Sequence, residues 1–344
     1  MKKNKLFVFL PSFGGGGAEK VVTNLVNNWK EKYQITIFVL RNEGPNKENI
    51  DDEISVIELK QKKIYFAIFE LAFHLMKEKP EVVFTTLIYP ISFISLLIPF
   101  FKHKTKFICR LSNIPSYEIE EIKSRLVKRL YLTAIQRYQA VICQSDDMLA
   151  DLCSKTSKQN HFYKINNPVF FDKKVKSNNI ANRFVLIGRL SKQKNIGLAI
   201  RAAHNANVYL DIFGTGPEEV KLQNLIDNLG AHKVKLRGFT HEVNQIILNS
   251  KALILSSDYE GFPNILIESI SLGVPVIARN CPGGINEIVN LDNGMIFEQE
   301  SELVEILKEF EPELYNKDKM IIDIKNKFSL DQISKSYLDL FEAI

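Results

Sequence analysis

The sequence predicts an α/β protein built from two doubly wound, Rossmann-like domains, each with a parallel sheet. Short apolar runs of strand length alternate with segments of helical periodicity along nearly the whole chain. This alternation stops at a polar, turn-rich segment, 166–183, and then starts again. The 344 residues are enough for two domains of ordinary size.

Repeated strand–helix units favour parallel sheets that are covered by helices on both faces. In the first half the predicted strands are 5–10, 34–40, 53–59, 82–87, 106–111, 140–144 and 161–165. In the second half they are 184–188, 208–213, 234–237, 252–256, 275–278 and 295–297. Helices are predicted there at 195–206, 217–229, 241–250, 264–272 and 284–290, and the chain is predicted to be helical from Ser301 onward. Two such domains in tandem are expected to bind a ligand between the carboxyl edges of their sheets.

The composition indicates a soluble globular protein, with 45% hydrophobic and 25% charged residues. No two of the four cysteines have C-x-x-C spacing, so we expect reduced thiols in a cytoplasmic protein. We expect no signal peptide, because the apolar run behind the basic N-terminus is short. The apolar stretch 82–101 could span a membrane, but prolines at 90 and 99 favour a buried strand (82–87), a turn at 89–90 and a helix (91–98).

Charge is distributed unevenly between the two halves. Residues 1–174 contain 27 Lys and Arg against 18 Asp and Glu, a net charge of +9, whereas the remaining residues carry −4. This asymmetry favours binding of a polyanionic partner surface by the basic first half alone. Ordinary surface charge is the alternative.

Four consecutive glycines, Gly14–Gly17, separate the first predicted strand from the first predicted helix. They fit neither G-x-G-x-x-G, because Glu19 stands at the last glycine position, nor the P-loop, because Val21 follows Lys20. A glycine loop ahead of a helix N-terminus suits an anion. The alternative is a tight turn that needs positive φ, but one or two glycines would satisfy it.

Three loops in the second half carry polar residues at strand ends. Arg189 and Lys194 lie in "IGRLSKQKN", and two cations beside a helix N-terminus suit a diphosphate. The turn "GTGP" at 214–217 fits a nucleotide site and a plain connection equally well. In "YEGFPNILIES", Glu260 ends a strand loop and Glu268 lies on the next helix, where a carboxylate can accept both hydroxyls of a ribose.

Taken together, "GGAEK", "GRL…K", "GTGP", "LRGF" and E-x7-E followed by "GVPVIA" resemble the family-4 glycosyltransferases of the GT-B fold. The motifs have that family's order and spacing from Gly14 to at least Asn286. The resemblance implies a retaining, metal-independent transfer from a nucleotide sugar. It also implies an acceptor domain at 1–170, a nucleotide-sugar domain at 171–328 and a helix, 329–344, that returns to the first domain.

The resemblance further implies roles for single residues. Arg189, Lys194 and Glu260 would be the catalytic residues: the two cations would hold the donor diphosphate, and Glu260 would contact the donor sugar. Glu268 would bind the ribose. The glycines would approach the diphosphate from the first domain, and the segment 237–239 would lie near the base. The full set of implied donor-binding residues is Gly15, Gly16, Gly17, Gly216, Arg237, Gly238, Phe239, Gly261, Phe262, Asn264, Ile265, Leu266 and Glu268. The chain has no D-x-D motif, so no metal or other cofactor is expected.

One position departs from the family pattern. Many relatives have a His at the end of the strand written here "FICRLSN", whereas this chain has Arg110, followed by Asn113. We expect these two residues to contact the acceptor or the donor phosphate.

The segment 122–137 places several cations beside an apolar stripe, which is typical of a helix on an anionic membrane and also of an ordinary surface helix. Its place in the basic first domain favours a lipid-linked acceptor. We therefore expect transfer of a hexose or N-acetylhexosamine from a UDP-sugar to a polyprenyl-diphosphate-linked surface glycan, at the inner face of the cytoplasmic membrane. A UDP-sugar epimerase of the same fold and a non-catalytic sugar-nucleotide-binding protein are the alternatives, and nucleic acid is not an expected partner.

Overall fold

The computed structural model describes residues 3–156, 161–170 and 182–344. It divides the chain into two compact units. The first unit consists of Met1–Pro168 and Leu330–Ile344, and the second consists of Val169–Ser329. Most of the linker predicted at 166–183, namely residues 171–181, lies outside the described residues.

Each unit is built on one parallel sheet, which confirms the predicted fold class. The first sheet contains β1 (Asn4–Leu10), β2 (Tyr33–Val39), β3 (Ser55–Glu58), β4 (Val82–Thr86), β5 (Lys106–Arg110), β6 (Ala140–Cys143) and β7 (Phe162–Lys164). The second contains β8 (Phe184–Ile187), β9 (Leu210–Phe213), β10 (Val234–Gly238), β11 (Leu253–Leu255), β12 (Val276–Arg279) and β13 (Gly294–Phe297).

The strand order shows where each sheet can bind a ligand. The orders are β3-β2-β1-β4-β5-β6-β7 and β10-β9-β8-β11-β12-β13. In each sheet the chain therefore starts in the middle and changes direction once, between β1 and β4 and between β8 and β11. Ligands of open α/β sheets bind at the carboxyl ends of the strands at this switch point.

Helices cover both sheets. Those of the first unit are α1 (Gly17–Trp29), α2 (Ile64–Glu78), α3 (Ile88–Ile94), α4 (Ile98–Phe101), α5 (Pro115–Glu121), α6 (Arg125–Ile135) and α7 (Asp146–Ser154). Those of the second are α8 (Ile196–Asn205), α9 (Glu219–Leu229), α10 (Val243–Leu248), α11 (Asn264–Ser271), α12 (Ile285–Ile288), α13 (Glu300–Glu309) and α14 (Lys317–Phe328). The C-terminal helix α15 (Leu330–Ala343) belongs to the first unit, and 3₁₀ turns lie at Lys47–Asn49, Lys192–Lys194 and Pro312–Leu314.

The helix α15 is part of the core of the first unit. Trp29 of α1 is fully buried, and its ring centroid lies 5.3 Å from Tyr337 and 5.1 Å from Phe341 of α15. The same indole packs edge-on against Phe84 of β4 at 5.4 Å. Removing α15 would therefore expose the centre of this core.

The apolar stretch 82–101 forms a buried strand and two short helices. The helix predicted at 91–98 is wrong in its bounds: α3 begins at Ile88, and α4 is separate. Pro90 fits within the first turn of α3, where its missing N–H has no intrahelical partner, and Pro99 lies in the first turn of α4. Among the described helices, none is both long enough and apolar enough to cross a bilayer.

Candidate active site

Two loops meet at the switch point of the second sheet. One follows β8 and ends in the 3₁₀ turn Lys192–Lys194, and the other follows β11 and leads to α11. Because β8 and β11 are neighbouring parallel strands, their carboxyl ends lie side by side. The predicted catalytic residues Lys194 and Glu260 come together here although they are 66 positions apart in the sequence.

An ion pair joins these two residues. Lys194 Nζ lies 2.5 Å from Glu260 Oε1, and the side chains are 21% and 8% exposed. Ser257 Oγ donates to the same carboxylate oxygen at 2.6 Å. An ammonium has three N–H donors, so Lys194 can hold Glu260 and still donate to an anion. Arg189, two residues beyond β8, is exposed and adds a second cation to this edge.

Hydrogen bonds between the loops fix the position of the ion pair. Ser256 Oγ donates to Lys194 O at 2.9 Å, and Gln193 Nε2 donates to Tyr259 O at 2.8 Å. In return, Asp258 N donates to Gln193 O at 2.8 Å. The backbones on either side of the pair are therefore held together, which limits the movement of both charged groups.

A Pro-Gly-Gly segment after β12, residues 282–284, contacts the loop of Glu260 and was not among the predicted site residues. Glu260 N donates to Pro282 O at 2.9 Å. Gly283 has φ +131°, and a Cβ there would lie 2.0 Å from Glu260 O. A Cβ on Gly284 would lie 2.4 Å from Phe262 Cδ2. Both positions therefore need glycine so that the loop of Glu260 can pass. Two adjacent glycines after a strand were the available signal.

The turn ahead of α11 buries the side chains of two predicted donor-binding residues. Phe262 is 6% exposed, and its ring packs against Phe328 at 5.4 Å, so its side chain belongs to the core. Leu266 is also fully buried, and its amide donates to Pro263 O at 3.0 Å. The side chain of Leu266 is thus buried and its N–H is engaged within the turn, and donor binding by Phe262 and Leu266 stays a prediction.

The remaining predicted residues of this turn lie at the start of α11. Asn264 and Glu268 are one helical turn apart and therefore share a face, and both are partly exposed. Ile265 is also partly exposed, while Gly261 is buried. A helix N-terminus with a carboxylate one turn further on can bind phosphate and a sugar diol close together.

Packing explains both glycines of the Gly-Thr-Gly turn after β9. Gly214 has φ +139°, and a Cβ there would lie 1.9 Å from Gly188 O. A Cβ on Gly216 would lie 2.3 Å from Leu190 O. The turn therefore presses against the loop that follows β8. Close packing of the turn against the loop after β8 is enough to explain why both positions are glycine. Donor binding by Gly216 stays a prediction.

The segment 237–239 ends strand β10. Arg237 Nε donates to Asp211 Oδ1 at 2.9 Å, and Arg183 Nη1 donates to Asp211 Oδ2 at 2.6 Å. The Arg237 guanidinium is thus engaged within the sheet. Gly238 has φ +71° with nothing within 4 Å of a Cβ, and Phe239 is 63% exposed. An open backbone beside an exposed ring can accommodate a planar base.

The glycine loop Gly14–Gly17 lies at the switch point of the first sheet. None of its glycines has positive φ, so a tight turn does not explain them. A Cβ on Gly15 would meet only Pro45 Cγ, at 3.4 Å, and a Cβ on Gly16 would meet the movable carboxylate of Glu19. The fold of the first unit does not itself require glycine at these two positions. This favours the interpretation that a ligand approaches the loop closely.

Sequence comparison assigns both halves of the chain to glycosyltransferases. Residues 15–172 match the family model described as Glycosyltransferase Family 4. Residues 170–325 match the model described as Glycosyl transferases group 1. The two matches together run without a gap from residue 15 to residue 325. The chain belongs to the family-4 glycosyltransferases.

Individual relatives of this glycosyltransferase are distant but extend over most of the chain. It is 25% identical over 316 residues to the amylovoran biosynthesis glycosyltransferase AmsD of Erwinia amylovora, covering 87% of each chain. It is 27% identical over 319 residues, again 87% of each chain, to the N-acetylgalactosamine-N,N'-diacetylbacillosaminyl-diphospho-undecaprenol 4-alpha-N-acetylgalactosaminyltransferase of Campylobacter jejuni. The crystal structure of Anabaena HepE with UDP and glucose matches with a TM-score of 0.84 at 16% identity, covering 99% of this chain and 100% of HepE. That likeness shows the GT-B fold.

Arg110 of this glycosyltransferase lies in the interior of the first unit. Its side chain is 1% exposed, and Nη2 donates to Asn167 Oδ1 at 2.5 Å. Among the described residues, Nε and Nη1 of Arg110 have no hydrogen bond of standard geometry. Burial raises the pKa of Tyr337, and the nearby Arg110 guanidinium opposes that rise, so the Tyr337 hydroxyl is a neighbour of Arg110. Asn113 Oδ1 accepts from the Ile114 amide at 2.9 Å, ahead of α5. Contact of Arg110 and Asn113 with the acceptor or donor phosphate stays a prediction.

The cysteines are all free thiols. Cys281 lies just ahead of the Pro-Gly-Gly segment and is 6% exposed. Burial, with a smaller effect from the charge of Glu260, raises the pKa of Cys281 to about 12. Almost no thiolate exists there at neutral pH, so Cys281 serves in packing and does not act as a nucleophile.

Proposed function

We propose that this glycosyltransferase moves a hexose or N-acetylhexosamine from a UDP-sugar to a polyprenyl-diphosphate-linked surface glycan. We further propose that it retains the configuration of the anomeric carbon. The observation that carries the proposal is the Lys194–Glu260 pair at the switch point of the second sheet, with exposed Arg189 on the loop that also carries Lys194. This edge offers cations for a diphosphate and a carboxylate for the neighbouring sugar.

The two cations provide the main catalytic effect. Breaking the bond between the anomeric carbon and the diphosphate oxygen develops negative charge on the leaving group. Lys194 and Arg189 stabilise that charge, and the N-terminus of α11 adds the positive end of a helix dipole. In this proposal the cations of the protein neutralise the diphosphate, and a bridging metal has no role.

The carboxylates act on the sugar side. Glu260 is held by Lys194 and Ser257 through Oε1, so its position is fixed before the donor arrives. From there it orients the donor sugar and stabilises the positive charge that develops at the anomeric carbon. Glu268, on α11, accepts hydrogen bonds from the ribose hydroxyls.

The bond changes balance without an enzyme adduct. The acceptor hydroxyl oxygen bonds to the anomeric carbon on the face that the diphosphate leaves. The electron pair of the broken bond goes to the diphosphate oxygen, and the hydroxyl proton moves to a phosphate oxygen. Attack and departure on one face keep the configuration.

The assignment of the acceptor rests on a relative and on charge. The C. jejuni relative is named for an acceptor linked to diphospho-undecaprenol. In the first unit, α6 exposes Arg125, Lys128 and Arg129 beside Leu126, which is 77% exposed. Cations beside apolar side chains suit an anionic membrane surface. We therefore place the enzyme at the cytoplasmic face of the membrane.

A panel of UDP- and GDP-sugars tests the donor assignment by ligand-induced thermal shift. UDP and at least one UDP-hexose should raise the melting temperature, and Lys194→Met should reduce the shift. Stabilisation by GDP-sugars alone would contradict the choice of UDP. Interconversion of free UDP-sugars without any acceptor would show an epimerase.

A further inference from the structure

We propose that helix α2 carries the part of the first unit that inserts into a lipid bilayer. Phe66, Phe69, Phe73 and Met76 follow one another at helical spacing and form one stripe along α2, called here the aromatic stripe. Their exposed fractions are 54%, 73%, 57% and 58%. The inference rests on the proposed function, because a bilayer is where a polyprenyl-linked acceptor would be found.

The rest of α2 shows that the stripe is not part of the core. The helix already buries a complete face, formed by Ile64, Ala67, Ile68, Leu71 and Leu75. The aromatic stripe therefore adds a second apolar surface to the same helix. A helix that is apolar on two sides normally lies in a protein core, at an interface or in a membrane.

The surface around the stripe is open. Phe66, Phe69 and Phe73 line a groove of about 770 Å³, together with Lys60 and His74 among others. The groove shares no residue with the loops of the candidate active site. The groove is therefore a surface separate from the candidate donor site.

The charges at both ends of the stripe identify the occupant. Exposed Lys60 and Lys63 precede α2, and exposed Lys77 and Lys79 lie at its end. The carboxylates of α2 are engaged: Glu78 binds Lys5 Nζ at 3.2 Å, and Glu70 accepts from the Lys60 amide at 2.9 Å. Aromatic rings bordered by lysines match the acyl boundary and the anionic headgroups of a bilayer. A second copy of this chain would bring equal positive charge to the same place, which disfavours a dimer.

A single helix lies between α2, which carries the aromatic stripe, and α6, which carries the exposed cations. Helix α3 packs against both α2 and α6. Tyr65 at the start of α2 lies 6.1 Å from Phe93 of α3. The exposed cations of α6 thus lie one helix away from the stripe, and we expect them to contribute to attraction by anionic headgroups. The rings of the stripe would insert into the bilayer, and the cations of α6 would attract its anionic headgroups.

Vesicle flotation tests the surface with a matched control. Vesicles contain equal parts of phosphatidylglycerol and phosphatidylcholine. The triple variant Phe66→Ser, Phe69→Ser, Phe73→Ser should lower the partition coefficient on the order of a hundredfold, since three exposed rings no longer enter the bilayer. The control triple Val220→Ser, Leu291→Ser, Leu314→Ser changes exposed apolar residues of the second unit and should partition as the wild type does.

A fluorescence measurement separates insertion from surface adhesion. The chain has one Trp, and it is fully buried, so Phe69→Trp adds a reporter on the stripe. Its emission should be quenched by lipids brominated in the acyl chain, whereas a Leu291→Trp reporter should not respond. Equal partitioning of the phenylalanine triple and the wild type, or an unquenched Phe69→Trp reporter, would overturn the proposal. A stable dimer in solution that dissociates in the triple variant would overturn it as well.

Failure of this proposal can be distinguished from failure of the proposed function. The phenylalanine triple should keep the thermal shift with UDP, because the donor loops lie in the second unit. It should also transfer sugar to a short-chain, detergent-free acceptor as the wild type does. If the wild type inserts into vesicles but transfers no sugar to any lipid-linked acceptor, the proposed function fails and the bilayer surface stands.

Discussion

Replacing Lys194 with Met tests whether the ion pair serves catalysis or only the fold. Methionine keeps most of the side-chain volume and removes the ammonium. Glu260 then remains 8% exposed, with Ser257 as the donor to Oε1. Removing one partner of a buried ion pair costs about 3–5 kcal/mol. Because the Lys194 side chain is 21% exposed, water replaces part of the lost interaction, and we expect about 2 kcal/mol.

The double variant Lys194→Met, Glu260→Gln separates the two roles. It removes both charges of the pair, so a urea titration should show that most of the lost unfolding free energy is restored. Transfer should not return, because the leaving diphosphate has lost its cation. We expect kcat to fall on the order of 10²- to 10³-fold in both variants. Turnover of Lys194→Met within about tenfold of the wild type, in steady-state transfer assays, would refute the catalytic role.

Three further changes test other parts of the account. Gly283→Ala places a Cβ against Glu260 O at positive φ, so it should lower both the melting temperature and transfer. The control Gly238→Ala has free space around its Cβ and should cost only about 1 kcal/mol of stability. Equal melting temperatures of the two variants would show that the loop of Glu260 relaxes. Burial raises the pKa of Glu118 above its ordinary 4.5, so the folded state favours the protonated acid. The unfolding free energy should therefore decline as pH rises above 4.5, by up to about 1.4 kcal/mol per pH unit, and Glu118→Gln should remove that decline in urea titrations across pH. Arg110→Met removes the hydrogen bond to Asn167 together with buried N–H groups that lack standard hydrogen bonds, and these two effects on stability oppose each other. The melting temperature should therefore change little while transfer falls; unchanged transfer would make Arg110 purely structural.

The architecture could be predicted because parallel strands are buried on both faces. A run such as Val82–Thr86 is apolar or uncharged at every position, and it contrasts with the amphipathic helices beside it. The bounds of short helices could not be predicted in the same way. Pro90 was expected to precede a helix, yet it lies within the first turn of α3, where proline is tolerated.

The candidate site could be predicted only as far as residue types and loop positions allow. Arg189, Lys194 and Glu260 stand out because charged residues follow apolar strands. Their pairing depends on the adjacency of β8 and β11, which local sequence does not show. The requirement for glycine at 283 depends on a backbone 23 positions earlier in the sequence, that of Glu260.

Apolar residues on a helix are ambiguous in the same way. Phenylalanine is a typical core residue, so the sequence of α2 suggests that its phenylalanines are buried. Only the structure shows that another face of α2 fills the core. Arg110 is the reverse case: a cation at a strand end suggests a ligand, but its side chain is buried and contacts Asn167.

Transfer from a UDP-sugar to a lipid-linked glycan by the Lys194–Glu260 site can be measured in a single assay. The most direct measurement follows labelled sugar from a panel of UDP-sugars into a polyprenyl-diphosphate-linked acceptor and determines the anomeric configuration of the product by NMR. We expect label in the lipid fraction with the configuration of the donor, and we expect Lys194→Met to lose this label. Label that stays in the water-soluble fraction for every donor, or a product of inverted configuration, would contradict this expectation.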